Sequence, residues 1–263
     1  MTITLSPQRI ATFCQGPAQQ IALQAVEETG STNADLLAAI DRLNAPTLLV
    51  AERQTAGRGR AGRAWHSQAG ASLTFSLAWK FALPVHALVG LPLAIGVAIA
   101  DALAMFDVKV QLKWPNDVLH EGRKLAGILI ETAAVAPREG SWAVIGVGLN
   151  MAVDAALAAT IGRPVADIPW LTELDRDMLM ATLLNKLADT LVQFEQTGFA
   201  GFAPRWNALH AYSGQTVMIL DNGRVLHEGV AAGVDATGRL MLDTAAGPVA
   251  VMAGDVSLRV AGG

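Results

Sequence analysis

A single cysteine, Cys14, occurs among the 263 residues. Neither a disulfide framework nor a cysteine-rich metal site can be built from it, and a reducing cytoplasm is the expected setting. Charge is scarce too. Only 16% of the residues are Asp, Glu, Lys or Arg, and the net charge is −4, which argues against a protein that coats nucleic acid. The start, "MTITLSPQRI", lacks the basic segment and apolar stretch of a secretory signal. The longest apolar run, Ala87 to Ala100, is closed by Asp101 and falls short of the ~20 residues a membrane span needs. It reads as a buried helix, with no membrane partner. What is abundant is apolar material: 52% of the chain is hydrophobic, which excludes disorder. The length allows one large domain or two unequal ones.

Residues 1 to about 25 offer one helix or strand and are too few for a separate helix-turn-helix domain. "ETGSTNADLLAAIDRL" reads as a turn, a cap at Thr32 and a helix. "PTLLVAERQ" is a buried strand running into polar residues, and "ASLTFSLAWK" is a second strand. A buried helix follows, roughly His86 to Met105. "VKVQLKWPNDVLH" begins as a strand and stops at Trp114-Pro115, because Pro115 cannot donate to a ladder. "GRKLAGILIETA" and "SWAVIGVGLNM" continue as strands, and their close succession predicts antiparallel hairpins. Residues 151–175 read as irregular. "DRDMLMATLLNKLADTLVQFEQTG" is an amphipathic helix stopped at Gly198. Beyond Tyr212 five short strands alternate with "DNG", "DATG" and "TAAG" turns. The expected class is α+β: a mixed sheet flanked by helices over residues 1–211, and a small five-stranded barrel over 212–263.

The most unusual stretch is "GRGRAGR", Gly57 to Arg63. Its G-x-G-x-x-G spacing suggests a dinucleotide fingerprint, but that motif opens a helix and has an acid ~20 residues on. Here a non-helical "AWHSQAGASLTFSL" follows, and Ala82 stands at that distance with no acid near it. A nucleic-acid loop lacks a matching basic stripe elsewhere. A merely solvated loop leaves the arginine-glycine alternation unexplained. A loop closing over a phosphate-bearing small molecule explains both residue types. Glycine gives mobility and lets amides face an anion, and arginine supplies bidentate charge-assisted bonds.

That reading requires other polar groups to converge at strand ends. "GSTN" supplies Ser31, Thr32 and Asn33, and Gln54 ends a strand just before the loop. "KWPND" groups Lys113, Asn116 and Asp117. Lys124 follows a turn and precedes Gly127, and Asn150 ends "GVGLN". Each has a plainer alternative. Ser31 and Thr32 suffice as helix caps, Lys113 and Asp117 as a surface ion pair, Asn116 as a turn residue, and Gly146 and Gly148 as marks of a bulge.

In this order, "GSTN", "QTAGRGRAGRAW", "KWPNDV", "RKLAGIL" and "VIGVGLN" resemble the motif series of the biotin protein ligases, from about Glu28 to Arg259. The resemblance implies a catalytic fold shared with lipoate ligases and an SH3-like C-terminal barrel. It implies ATP and biotin as substrates with Mg²⁺, biotinyl-5′-AMP as intermediate, and a lysine of the biotin carboxyl carrier domain of acetyl-CoA carboxylase as acceptor. No protein nucleophile is needed, since the biotin carboxylate attacks the α-phosphorus while cations offset the repulsion of two anions. By resemblance, Gly57, Arg58, Gly59 and Arg60 form the loop over biotin and adenylate. Arg60, Lys113 and Lys124 are the catalytic group. Lys124 meets the carboxylate or phosphoryl oxygen, and Lys113 the ATP phosphates and leaving pyrophosphate. Ser31, Thr32, Asn33, Gln54, Trp65, Gly127 and Asn150 belong to the biotin and adenylate site. Asn116, Trp170 over the adenine, and Arg259 from the barrel belong to the nucleotide side, and Asp117 is the candidate near the metal.

The sequence also departs from the family. Ala61 stands where many members carry a third consecutive basic residue, which bears on how tightly the adenylate is held. "HSQAG" replaces the commoner serine-proline form after the tryptophan. The N-terminal DNA-binding domain of repressor-type members is not found, so no DNA partner is expected. A lipoate or octanoate ligase is the nearest rival enzyme, and a non-enzymatic nucleotide-binding protein the rival of another class. Exposed edge strands offer a route to a homodimer, which nothing in the pattern requires.

Overall fold

The computed structural model describes residues 5–134, 140–162, 164–221, 223–254 and 256–261. The first four residues of the start read above, and Asn222 of the "DNG" turn, lie outside them. The chain opens with α1 (Pro7–Phe13) and β1 (Ala22–Thr29), so residues 5–29 hold both a helix and a strand. Next come α2 (Thr32–Ala39), β2 (Thr47–Gln54), β3 (Ser72–Phe81) and α3 (Leu91–Ala104). The hairpin series is β4 (Gln111–Lys113), β5 (Asp117–His120), β6 (Arg123–Ala134) and β7 (Ser141–Asn150). Helices α4 (Ala155–Ile161), α5 (Arg176–Thr197) and α6 (Ala203–Ala208) precede the last five strands. These are β8 (Thr216–Asp221), β9 (Arg224–Val234), β10 (Leu240–Thr244), β11 (Gly247–Val251) and β12 (Val256–Val260).

The first seven strands form one mixed sheet in the order β1-β2-β3-β7-β6-β5-β4. Only β1 and β2 are parallel; every other neighbour pair is antiparallel. The last five form a separate antiparallel sheet, ordered β11-β10-β9-β8-β12. The mixed sheet and the expected hairpins are therefore present.

Three local expectations need correction. The cap of α2 is Ser31, whose hydroxyl accepts from the Ala34 N–H, and not Thr32. Thr32 is already helical, which turns its hydroxyl to other use. The buried helix starts at Leu91, preceded by a 3-10 turn at Val85–Leu88, because Pro84 and left-handed Gly90 interrupt the apolar run. Residues 155–161 are helical, capped by Asp154 through the Leu157 N–H and ended by left-handed Gly162.

Both faces of the sheet are covered, and strand alternation sorts the side chains. Leu48, Val50, Leu77, Trp79 and Ile145 join the main core with α3 and α5. Leu49, Ala78, Trp142 and Val144 point the other way and pack with Leu36 of α2. Helix α3 is apolar nearly all round and correspondingly buried. Among the described residues, no helix is long and apolar enough to cross a membrane.

The two sheets meet through a short linker. Leu112 of β4 accepts from the Ala211 N–H and donates to the Leu209 carbonyl, at 2.9 and 2.7 Å. His210, between them, is 6% exposed and lies against Trp206 with ring centroids 4.8 Å apart. Neither ring nitrogen has a hydrogen-bond partner among the described residues, and burial holds its pKa down at about 4. The unfolded chain therefore takes up this proton near pH 6.5 while the folded chain does not. Stability is full above pH 6.5 and falls as pH drops toward 4, by about 2 kcal/mol between pH 7 and pH 5. Urea unfolding of the wild type and His210→Phe at both pH values checks this: the substitution flattens that part of the slope.

Candidate active site

One cavity of about 300 Å³ lies where the arginine-glycine loop, α2, β3, the β4–β7 series and β12 meet. The strand register explains its floor. Ser76, Gly146 and Leu129 are neighbours across β3, β7 and β6, as are Thr74, Gly148 and Gly127 one step on. The two β7 glycines do not mark a bulge, since the register runs unbroken on both sides. They leave the sheet bare. A Cβ on Gly148 would overlap the Trp65 ring, and one on Gly146 would overlap the Asn33 amide. Trp65 and Asn33 therefore rest directly on the β7 backbone.

Around Asn33 runs a chain of polar contacts. Gln54 accepts from the backbone N–H of Thr32 at 2.8 Å and lies 3.0 Å from its hydroxyl. The Thr32 and Ser76 hydroxyls are 2.6 Å apart, and Ser76 donates to Asn33 Oδ1 at 2.5 Å. Asn33 Nδ2 donates to Glu131 at 2.9 Å. Thr32 and Asn33 are thus more than cap residues.

The cavity also gathers cations. Arg58, Arg60, Arg63, Lys113, Arg123, Lys124 and Arg259 all line the cavity, with Asp117 the one acid among its lining residues. Lys124 Nζ pairs with Asp117 at 2.5 Å and sits 5.8 Å from the centre of the Trp65 ring. Gly127 lets it fold back, since a Cβ there would lie 2.9 Å from Nζ. Lys113 lies 5.9 Å from the centre of the Tyr212 ring. Burial first, then the Asp117 charge, pushes the Tyr212 phenol above its usual pKa against the opposing effect of Arg259, so it stays a donor at neutral pH.

The loop itself is tied down at three points. Its stem closes through the Trp65 N–H and the Gly57 carbonyl, 2.9 Å. Arg58 reaches Glu131 at 3.3 Å. Arg60 donates to Asn116 Oδ1 at 3.1 Å and to the carbonyl of Gly254 in the connection between β11 and β12. Ala61, at the position where the family pattern departs, adopts a left-handed backbone with φ of 53°. In the "HSQAG" segment the Ser67 hydroxyl accepts from the Gln54 N–H at 2.9 Å, anchoring the strand end.

Ser31, Thr32, Asn33, Gln54, Arg58, Gly59, Arg60, Trp65, Lys113, Asn116, Asp117, Lys124, Gly127 and Arg259 all line the one cavity. Three expected residues do not. Gly57 serves the loop stem, where a Cβ would meet the Trp65 carbonyl at 2.5 Å. Asn150 is buried and donates to the Ala166 carbonyl at 3.3 Å, fixing the strap beside Lys124. Trp170 is exposed on a 3-10 turn. Ser76, Tyr212 and Glu131 were not expected. The first two line the cavity, and Glu131 ties Asn33 to Arg58. The strand alternation carried a signal for Glu131, a lone acid in an apolar strand with the same parity as Gly127 and Leu129. Among the described residues no three His, Cys, Asp or Glu side chains cluster as a metal site.

Sheet order, bare glycine floor and cation-lined cavity define a ligase class that comparison identifies. The Biotin/lipoate A/B protein ligase family profile matches residues 24–150, and the Biotin protein ligase C terminal domain profile matches 212–259. The biotin--[acetyl-CoA-carboxylase] ligase of Mycobacterium tuberculosis is 37% identical over 250 residues, covering 89% of this chain and 88% of that one. The bifunctional ligase/repressor BirA of Salmonella typhimurium is 37% identical over 238 residues, covering 88% and 72%. The biotin protein ligase of Aquifex aeolicus, solved with biotin and ATP, superimposes with a TM-score of 0.76 at 29% identity, covering 91% and 99%. The chain belongs to the biotin protein ligase family.

The bare floor makes a direct prediction. Gly148→Ala forces Trp65 off β7, which costs about 1–3 kcal/mol by overpacking. The checks are a lowered Tm and a changed tryptophan emission. An unchanged emission and Tm would mean the ring has room to spare.

Proposed function

We propose that this chain activates biotin with ATP and passes it to a lysine of a biotin carboxyl carrier domain. In the first step a biotin carboxylate oxygen bonds to the α-phosphorus of ATP, and the bond to the β-phosphate oxygen breaks. The products are biotinyl-5′-AMP and pyrophosphate. In the second, the carrier lysine amine attacks the acyl carbon, AMP leaves with the bridging oxygen, and the amine loses a proton. The observation that carries the reading is a cavity lined by two unlike sets of groups. One is a neutral hydrogen-bonding chain suited to a ureido ring, and the other a cluster of cations suited to a carboxylate and phosphates.

Lys124 is the group for the carboxylate and phosphoryl oxygens, and its Asp117 partner gives way as these anions arrive. Lys113 and Arg259 serve the phosphates, and Asn116 holds Arg60 for the same task. Cations fixed before the reaction stabilise the charge that gathers at the phosphorus without reorganising. Asp117 suits Mg²⁺ that arrives with ATP, since such an ion is held by one or two carboxylates together with phosphates. Trp170 over the adenine belongs to the same proposal and requires its 3-10 turn to move. The loop excludes water from the mixed anhydride, and its Arg60 tie to Gly254 makes the second sheet part of the closure. The division into a catalytic unit, 1–211, and a C-terminal unit, 212–263, is part of this reading, as is a cytoplasmic enzyme acting without DNA.

ATP–pyrophosphate exchange with Mg²⁺ and biotin, lipoate or octanoate tests the chemistry, and exchange is expected with biotin alone. Exchange only with lipoate or octanoate would move the substrate to the related ligases. No exchange with any of them would return the chain to nucleotide binding. Lys124→Gln lowers the exchange rate by about 10²–10³-fold, the usual effect of losing one charge-stabilising donor. Arg60→Ala forms adenylate but releases it faster, read as loss of biotinyl-5′-AMP on rapid gel filtration. Equal retention by Arg60→Ala and wild type would remove the loop's protective role.

A further inference from the structure

We infer that Glu131 is a positioning residue for biotin: its carboxylate fixes the Asn33 amide and, through it, the direction of the Ser76 hydroxyl. This inference rests on the assignment of those groups to biotin. Glu131 does not itself line the cavity; it acts through Asn33.

The inference comes from counting hydrogens. Three oxygen–oxygen contacts link Gln54 to Thr32, Thr32 to Ser76, and Ser76 to Asn33, at 3.0, 2.6 and 2.5 Å. Two hydroxyl protons are available for them. An isolated asparagine amide could turn either edge toward Ser76, which would leave the direction of the chain open. An ionised carboxylate accepts only, so it keeps the Asn33 Nδ2 edge toward Glu131. The Leu129 carbonyl, 3.4 Å from the same nitrogen, favours the same edge. Asn33 Oδ1 must then take the Ser76 proton, so Ser76 can meet Thr32 only as an acceptor. The Thr32 proton serves Gln54 Oε1 or Ser76 Oγ, and Gln54 Oε1 also takes the backbone N–H of Thr32. Ser76 Oγ, which lines the cavity with its own proton committed to Asn33, is thus an acceptor, which is what a ring N–H of a cyclic urea needs.

Arg58 gives this arrangement a second consequence. Its Nη2 lies 3.3 and 3.4 Å from the two Glu131 oxygens, so the carboxylate that orders the biotin wall also anchors the loop. Gln54 and Arg58 are only four residues apart in the chain, and the polar series closes into a ring at the loop stem.

Glu131→Gln tests the inference because it keeps shape but lets either edge of the new amide face Asn33. Biotin binding is measured by calorimetry without ATP, and ATP binding separately. The expected result is at least tenfold weaker biotin binding with ATP binding within twofold. Asn33→Asp sets two carboxylates against each other and weakens biotin binding as well. Combining Asn33→Asp with Glu131→Gln restores direction, since the carboxylate then at position 33 can only accept, from Ser76 on one side and from the amide at position 131 on the other. The double variant is expected to recover most of the affinity lost by either single change. Undiminished biotin affinity in Glu131→Gln, a lower Tm with intact biotin affinity, or losses that simply multiply in the double variant would each overturn the inference. Failure of the wild type to bind biotin would instead overturn the functional assignment.

Discussion

Two residues of β7 have to be without side chains for this site to exist. Trp65 and Asn33 arrive from different parts of the chain, one at the end of a loop and the other in the first turn of α2. They meet on the same strip of exposed strand backbone. Close-packed interiors leave no slack for an added methyl group, so Gly146 and Gly148 fix how deep both side chains lie. Everything above the floor inherits that depth. Trp65 sets where Lys124 sits, and Asn33 sets where Ser76 and Glu131 find a partner. A sheet that was merely apolar here would pack well and hold no ligand.

Electrostatics follow from the same arrangement. The chain carries a net charge of −4, yet the cavity gathers seven cationic side chains. Like charges so close together destabilise one another unless something intervenes. Asp117 holds Lys124 and Glu131 holds Arg58. These two carboxylates differ in place. Asp117 lies among the lining residues of the cavity. Glu131 stands behind Asn33, tied to Asn33 as well as to Arg58, and its place is better suited to holding geometry than to exchanging partners.

The sequence was legible where local chemistry decides the outcome. Alternation and turn residues announce the hairpins and the C-terminal strands, and the "GSTN" stretch marks the polar triplet Ser31 to Asn33 at a helix start, while its place in a biotin site comes from the resemblance. It was less legible where a residue's work is set by a neighbour distant in the chain. Thr32 reads as a cap because hydroxyl residues cap helices, yet Ser31 takes that role and frees Thr32 for Gln54, 22 residues away. Gly146 and Gly148 admit a bulge as the plainer alternative, since glycine in a strand often marks one, while their neighbours Trp65 and Asn33 account for them. Asn150 carried the right chemistry for a ligand, but the strap at Ala166 claims its amide. Glu131, a single acid in an apolar strand, gains its meaning only from sharing a face with Gly127 and Leu129.

The C-terminal sheet is more than an appendage by the same physical argument. Val256, Ser257, Leu258 and Arg259 form part of the cavity wall, and Arg60 of the loop reaches the Gly254 carbonyl. A guanidinium has five donors in a fixed fork, so one Arg can bridge two acceptors without rearranging. Arg60 uses that property to join Asn116, in the β4–β5 turn, to Gly254, in the β11–β12 connection. A shift of the C-terminal sheet against the first would stretch that bridge. The linker at Leu209 to Ala211, held to β4 by two backbone hydrogen bonds, limits such a shift. The buried ring of His210, without a hydrogen-bond partner among the described residues, lies within that linker, so the junction between the sheets is also a part of the fold that acid can loosen.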